Sequence, residues 1–102
     1  MWKLFKGVIM KHYIIVKFNE DYDYKKEVEN IKDLFNESLK LDGVNKVEIL
    51  ISNSDRSNRH DLMIMMELTK DGLLEFDNSW IHEKWKNDYG KNISSKTIFD
   101  CD

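Results

Sequence analysis

The stretch Leu62-Met63-Ile64-Met65-Met66-Glu67-Leu68 narrows what this chain can fold into more than any other. Apart from Glu67 it is apolar at odd and even positions alike. Successive side chains of a strand point to opposite faces, so a strand built from it needs cover on both sides. A chain of 102 residues holds one domain with a modest core. Its own helices are then expected to cover one face of the sheet, and a neighbour outside the chain the other.

Two further stretches read as partner strands. In Lys11 to Phe18, His12, Ile14, Val16 and Phe18 alternate with Tyr13, Ile15 and Lys17. In Val44 to Ser52, Val47, Ile49 and Ile51 alternate with Lys46, Glu48, Leu50 and Ser52. Residues 53 to 60 are polar and suit a turn between antiparallel strands. Between the first two strands, Val28, Ile31, Leu34, Phe35, Ser38, Leu39 and Leu41 recur at steps of three and four, which predicts an amphipathic helix capped by Asp21 or Asp23 and stopped by Gly43. After the third strand, Thr69 or Asp71 is positioned to cap a short segment carrying Leu73, Leu74 and Phe76, which Asn78 and Ser79 interrupt. Ile81, Trp85 and Tyr89 then line one helix face, with His82 on its flank, until Gly90. Lys96 to Cys101 reads as the last strand.

The order βαββαβ predicts an α+β, ferredoxin-like fold: an antiparallel four-stranded sheet with helices on one face. If the helices pack on Leu62, Ile64, Met66 and Leu68, then Tyr13, Ile15, Leu50, Met63 and Met65 form an apolar patch on the other face. Such a patch marks an interface, and a two-fold homodimer through the sheet is the economical way to cover it. The competing reading is a patch dispersed by sheet twist and shielded by Lys17 and Lys46.

Several classes of function are set aside at this stage. With a net charge of −3 and acidic and basic residues interspersed, there is no basic stripe to meet a phosphate backbone, so nucleic acid is not expected as a partner. No long apolar run spans a bilayer, and the single Cys101 cannot close an internal disulfide; the expected location is cytoplasmic. Residues 1–9 read as an N-terminal extension to a domain of residues 10–102, since Lys3, Lys6, Lys11 and His12 interrupt any export signal and Met10 makes a natural start. His12, His60, His82, Asp61 and Glu83 lack the close spacing of a metal motif, and there is no glycine-rich phosphate loop, so neither metal nor cofactor is expected. Cys101 has no activating neighbour in the sequence, and the three tryptophans suit core and interface.

His12 in the first strand, Gly43-Val44 before the second, the Asp61-Leu62-Met63-Ile64-Met65-Met66-Glu67-Leu68 strand and the aromatic segment Trp80-Ile81-His82-Glu83-Lys84-Trp85 together resemble the stress-responsive A/B barrel, or Dabb, family. The resemblance implies a dimeric alpha+beta barrel formed by pairing of two sheets. It also implies a cavity between sheet and helices in which a polyketide cyclase of the family uses two histidines and a tyrosine for aldol chemistry. His12 and His82 match the two histidines; Phe76 stands where the tyrosine would be, and Ser79-Trp80 replaces the usual His-Pro. A phenylalanine donates no proton, so the cyclase mechanism does not carry over whole.

The expected site follows. His82 acts as general base or acid and His12 orients it or polarises a carbonyl oxygen, in a pocket walled by Ile14, Val16, Phe35, Phe76, Trp80 and Trp85. The competing reading has both histidines structural, satisfied by backbone groups. The function expected is binding of a small apolar or aromatic ligand between sheet and helices, with the reaction unassigned. The alternative is a small cofactor-independent enzyme, resembling a polyketide-cyclase-like lyase or a monooxygenase.

Overall fold

A computed structural model describes residues 8–102; residues 1–7 of the expected extension lie outside the described part. The elements are β1 (Met10–Phe18), α1 (Val28–Asn36), β2 (Val44–Ile51), β3 (Leu62–Leu68), α2 (Lys70–Asp77), α3 (Trp80–Tyr89) and β4 (Ile93–Cys101). All strand pairs are antiparallel, in the order β2-β3-β1-β4. This is the expected ferredoxin-like arrangement. β3 and β1 occupy the centre.

The register separates the faces. Ile14 pairs with Ile64 and Ile98, and Val16 with Leu62 and Lys96, on the side covered by helices. Ile14, Val16, Phe18, Leu62, Ile64, Met66 and Leu68 are buried there against Ile31, Leu34 and Phe35 of α1, Phe76 of α2, and Ile81, Trp85 and Tyr89 of α3. The Phe35 ring meets Phe76 at 5.8 Å and Trp85 edge-on at 5.0 Å, tying all three helices together through aromatic contacts.

Local chemistry differs from expectation in four places. α1 ends at Asn36, and Ser38 continues it in a tighter 3-10 turn over Glu37–Lys40, where the Ser38 hydroxyl donates to the Phe35 carbonyl. Gly43 does adopt the left-handed conformation, at φ 85, but in the turn into β2. Asp23 precedes a 3-10 turn without a capping bond from its side chain. By contrast Thr69 caps α2, its Oγ1 accepting from the Gly72 N–H at 3.0 Å, and Ser79 caps α3. β4 begins at Ile93, earlier than expected, because it pairs with Phe18 across a bulge.

The open face of the sheet carries Tyr13, Ile15, Leu50, Met63 and Met65, as their alternation predicted. Phe99 of β4 joins them. It pairs with Tyr13, lies 6.2 Å from it ring to ring and is 56% exposed.

Candidate functional site

The helices cover β1 and β3 fully and stop short of β4. Lys96, Ile98 and Asp100 all point to the helix side of the sheet, as their pairing with Val16, Ile14 and His12 requires, yet all three are exposed. A cleft of about 300 Å³ fills the space between this edge and α2 and α3. It is lined by apolar Ile14, Leu73, Phe76, Trp85 and Ile98, and by polar His12, Asp77, His82, Lys96 and Asp100. That mixture suits a small organic ligand held by a few oriented polar groups, at the small end of such sites.

Both histidines reach this cleft, each with one nitrogen already committed. His12 is buried, and its Nδ1 lies 2.5 Å from Asp100 Oδ1, to which it donates. His82 is half-buried at the start of α3, and its Nδ1 donates to the Asp77 carbonyl at 3.1 Å. A carbonyl oxygen only accepts, so the proton of neutral His82 sits on Nδ1 and Nε2 keeps its lone pair. The Ser79 cap and the Phe76 ring, 5.2 Å from the imidazole, fix the position of His82.

The other expected wall residues divide. Ile14, Phe76 and Trp85 line the cleft. Val16 and Phe35 are sealed in the core with no exposed surface. Trp80 is 57% exposed and lies in a separate groove between α1 and α3, beside Leu34 and Tyr89. Asp77, Lys96, Ile98 and Asp100 were not anticipated. Their signal was available: the βαββαβ order sets β4 antiparallel to β1, and alternation along Lys96-x-Ile98-x-Asp100 then faces the helices.

His60 and Asp61 lie in the β2–β3 connection, remote from the cleft, where Asp61 Oδ2 accepts the Phe18 N–H at 2.8 Å. Among the described residues no group of three His, Cys, Asp or Glu side chains is placed to hold a metal ion. None of the described helices is long and apolar enough to cross a membrane.

No family model matches the sequence, and no curated protein matches it. Solved structures match the fold over nearly the whole chain. A dimeric ferredoxin-like protein of unknown function from Thermobifida fusca superimposes with a TM-score of 0.79 at 11% identity, covering 94% of this chain and 92% of that one. A Dabb family protein with a ferredoxin-like fold from Mesorhizobium loti gives 0.67 at 14% identity, over 90% and 93%. A hydroxynitrile lyase from Passiflora edulis gives 0.71 at 10% identity, over 90% of each chain. At these identities the shared property is the fold.

Proposed function

We propose that residues 10–102 form a homodimeric domain of the stress-responsive A/B barrel type, and that its His12–His82 cleft binds a small aromatic or apolar carbonyl compound and moves a proton on it without a cofactor. The observation that carries this reading is the sharing of one open cleft by two imidazoles whose Nδ1 atoms are both engaged elsewhere. Their Nε2 atoms are left for a ligand. The fold neighbours add that this scaffold occurs in a Dabb protein and in a hydroxynitrile lyase. Pairing through the open face is favoured by the apolar surface there and by the dimeric description of the Thermobifida fusca neighbour.

The chemistry suited to such a site is making or breaking a carbon–carbon bond next to an oxygen. His82 Nε2 takes the hydroxyl proton of a cyanohydrin or aldol. The C–C bond then breaks, its electron pair departs with cyanide or enolate, and the carbonyl forms. The imidazolium returns its proton to the leaving group. In its protonated form His12, paired with Asp100, donates from Nε2 to the developing carbonyl oxygen. Phe76 supplies no proton, so His12 takes the place of a phenol.

The test is cleavage of an aromatic cyanohydrin such as mandelonitrile, followed by release of benzaldehyde. His82→Ala and His12→Ala should each lower kcat/KM by about 10²- to 10⁴-fold, the usual yield of a positioned acid or base. Wild-type rates in both folded variants, or no acceleration over buffer by wild type, would sink the catalytic reading. Phe76 favours binding without turnover as the second reading, in which benzaldehyde is held and nothing is cleaved.

A further inference from the structure

We propose that the cleft selects a ligand with an anionic end, and that Lys96 holds that end. The proposal rests on the reading of the cleft as a small-molecule site and narrows its substrate class. Lys96 is on the helix side of β4, opposite Val16, a position where a neighbouring helix would ordinarily place an apolar residue. Among the described residues it is the one lysine or arginine that lines the cleft. Of the other polar groups, Asp100 is engaged with His12 and the Asp77 carbonyl with His82, while the Asp77 carboxylate belongs to the same lining. Among the described residues Lys96 makes no ion pair and no side-chain hydrogen bond.

The order along β4 gives the ligand a shape. Asp100 and Lys96 are four residues apart on the same face, with Ile98 midway. At about 3.3 Å per residue their backbones stand about 13 Å apart. A lysine stem is long enough to reach over part of that distance, which leaves room for one ring. The cleft therefore reads, from end to end, as imidazole, apolar strip and ammonium. A single aromatic ring with a carbonyl or hydroxyl carbon at one end and a carboxylate at the other matches all three. A neutral compound of equal size leaves the ammonium without a partner.

Binding of 4-formylbenzoate and of its uncharged methyl ester, measured by calorimetry on the full chain, tests this. Wild type should bind the acid about fivefold more tightly than the ester, the yield of one partly exposed charge pair, and added salt should erode the difference. Lys96→Gln should bind both equally, with its ester affinity unchanged. Equal affinity for acid and ester in wild type, or a preference that persists in Lys96→Gln, overturns the role of Lys96 and leaves the cleft reading standing. No binding of either compound by wild type overturns both. Lys96→Gln alters an exposed side chain, and an unchanged thermal midpoint shows that it remains folded.

Discussion

Gly72→Ala and Gly90→Ala are the same chemical change in helical backbone, and they should move stability in opposite directions. An alanine methyl at Gly72 would stand 2.6 Å from the carbonyl carbon of Gly43 and closer still to its oxygen, both main-chain atoms with little freedom to yield. The first turn of α2 would have to lift away from the β2 turn. The Thr69 N–H would then lose its 2.8 Å bond to the Gly43 carbonyl, and the Thr69 cap on the Gly72 N–H would be strained. Overpacking costs about 1–3 kcal/mol, and the hydrogen bond and the cap about 1 kcal/mol each. Alanine's higher helix propensity returns about 1 kcal/mol. The net loss is about 2–4 kcal/mol, or a midpoint lower by roughly 10–30 °C for a domain of this size. Gly90 has a right-handed φ of −54 and open space where its Cβ would be, so alanine there should raise stability by about 0.4–1 kcal/mol. Thermal unfolding followed by circular dichroism, checked by urea midpoints, reads both. A Gly72→Ala midpoint equal to or above wild type would refute the close-approach reasoning, since propensity alone would then have decided the sign.

Two other perturbations probe the open face and the edge of the core. Sedimentation at micromolar concentration should show twice the chain mass for wild type and a single chain mass for Phe99→Asp or Met63→Lys; a monomeric wild type would refute pairing through the sheet. The Tyr89 hydroxyl is pushed up to about 12, first by burial and then by the nearby Glu27 carboxylate, to which it donates at 3.4 Å. Its folded value thus lies above the unfolded one, and its contribution to stability, whole below pH 10, is lost as pH rises from 10 to about 12. Urea midpoints across that window should fall less steeply for Tyr89→Phe, and identical slopes would exclude the effect.

Period-two alternation in β1 and β2 was enough to assign their faces, and the apolar β3 announced a strand whose two faces both need cover. The capping threonine and the left-handed Gly43 were legible because each acts on backbone within a few residues; Ser79, which caps α3, reads in the sequence only as an interruption. What escaped depends on partners far along the chain. His12 meets Asp100 across 88 residues, a contact that only the β1–β4 register creates. Phe99 was overlooked because both faces of β4 mix polar and apolar side chains, so no alternation stands out. Trp80 fell outside the cleft for a reason already present in its spacing: with Ile81, Trp85 and Tyr89 forming the buried stripe, a residue five before Trp85 turns away from it. Val16 and Phe35 were correctly apolar and inward, but the helices seal them, and sequence pattern does not distinguish a wall from a core.

β4 is a single strand whose alternate residues serve two different surfaces. Asp100 holds His12 at the cleft while Phe99, one peptide bond away, lies on the face that a second copy would cover. A ligand that stiffens the Asp100 end and a partner that immobilises Phe99 act on the same nine residues. Any coupling through this strand is reciprocal: if occupancy of the cleft tightens association, association tightens the cleft by the same factor. Ligand affinity measured at nanomolar and at micromolar chain concentration would differ by that factor, making protein abundance itself an input to the site.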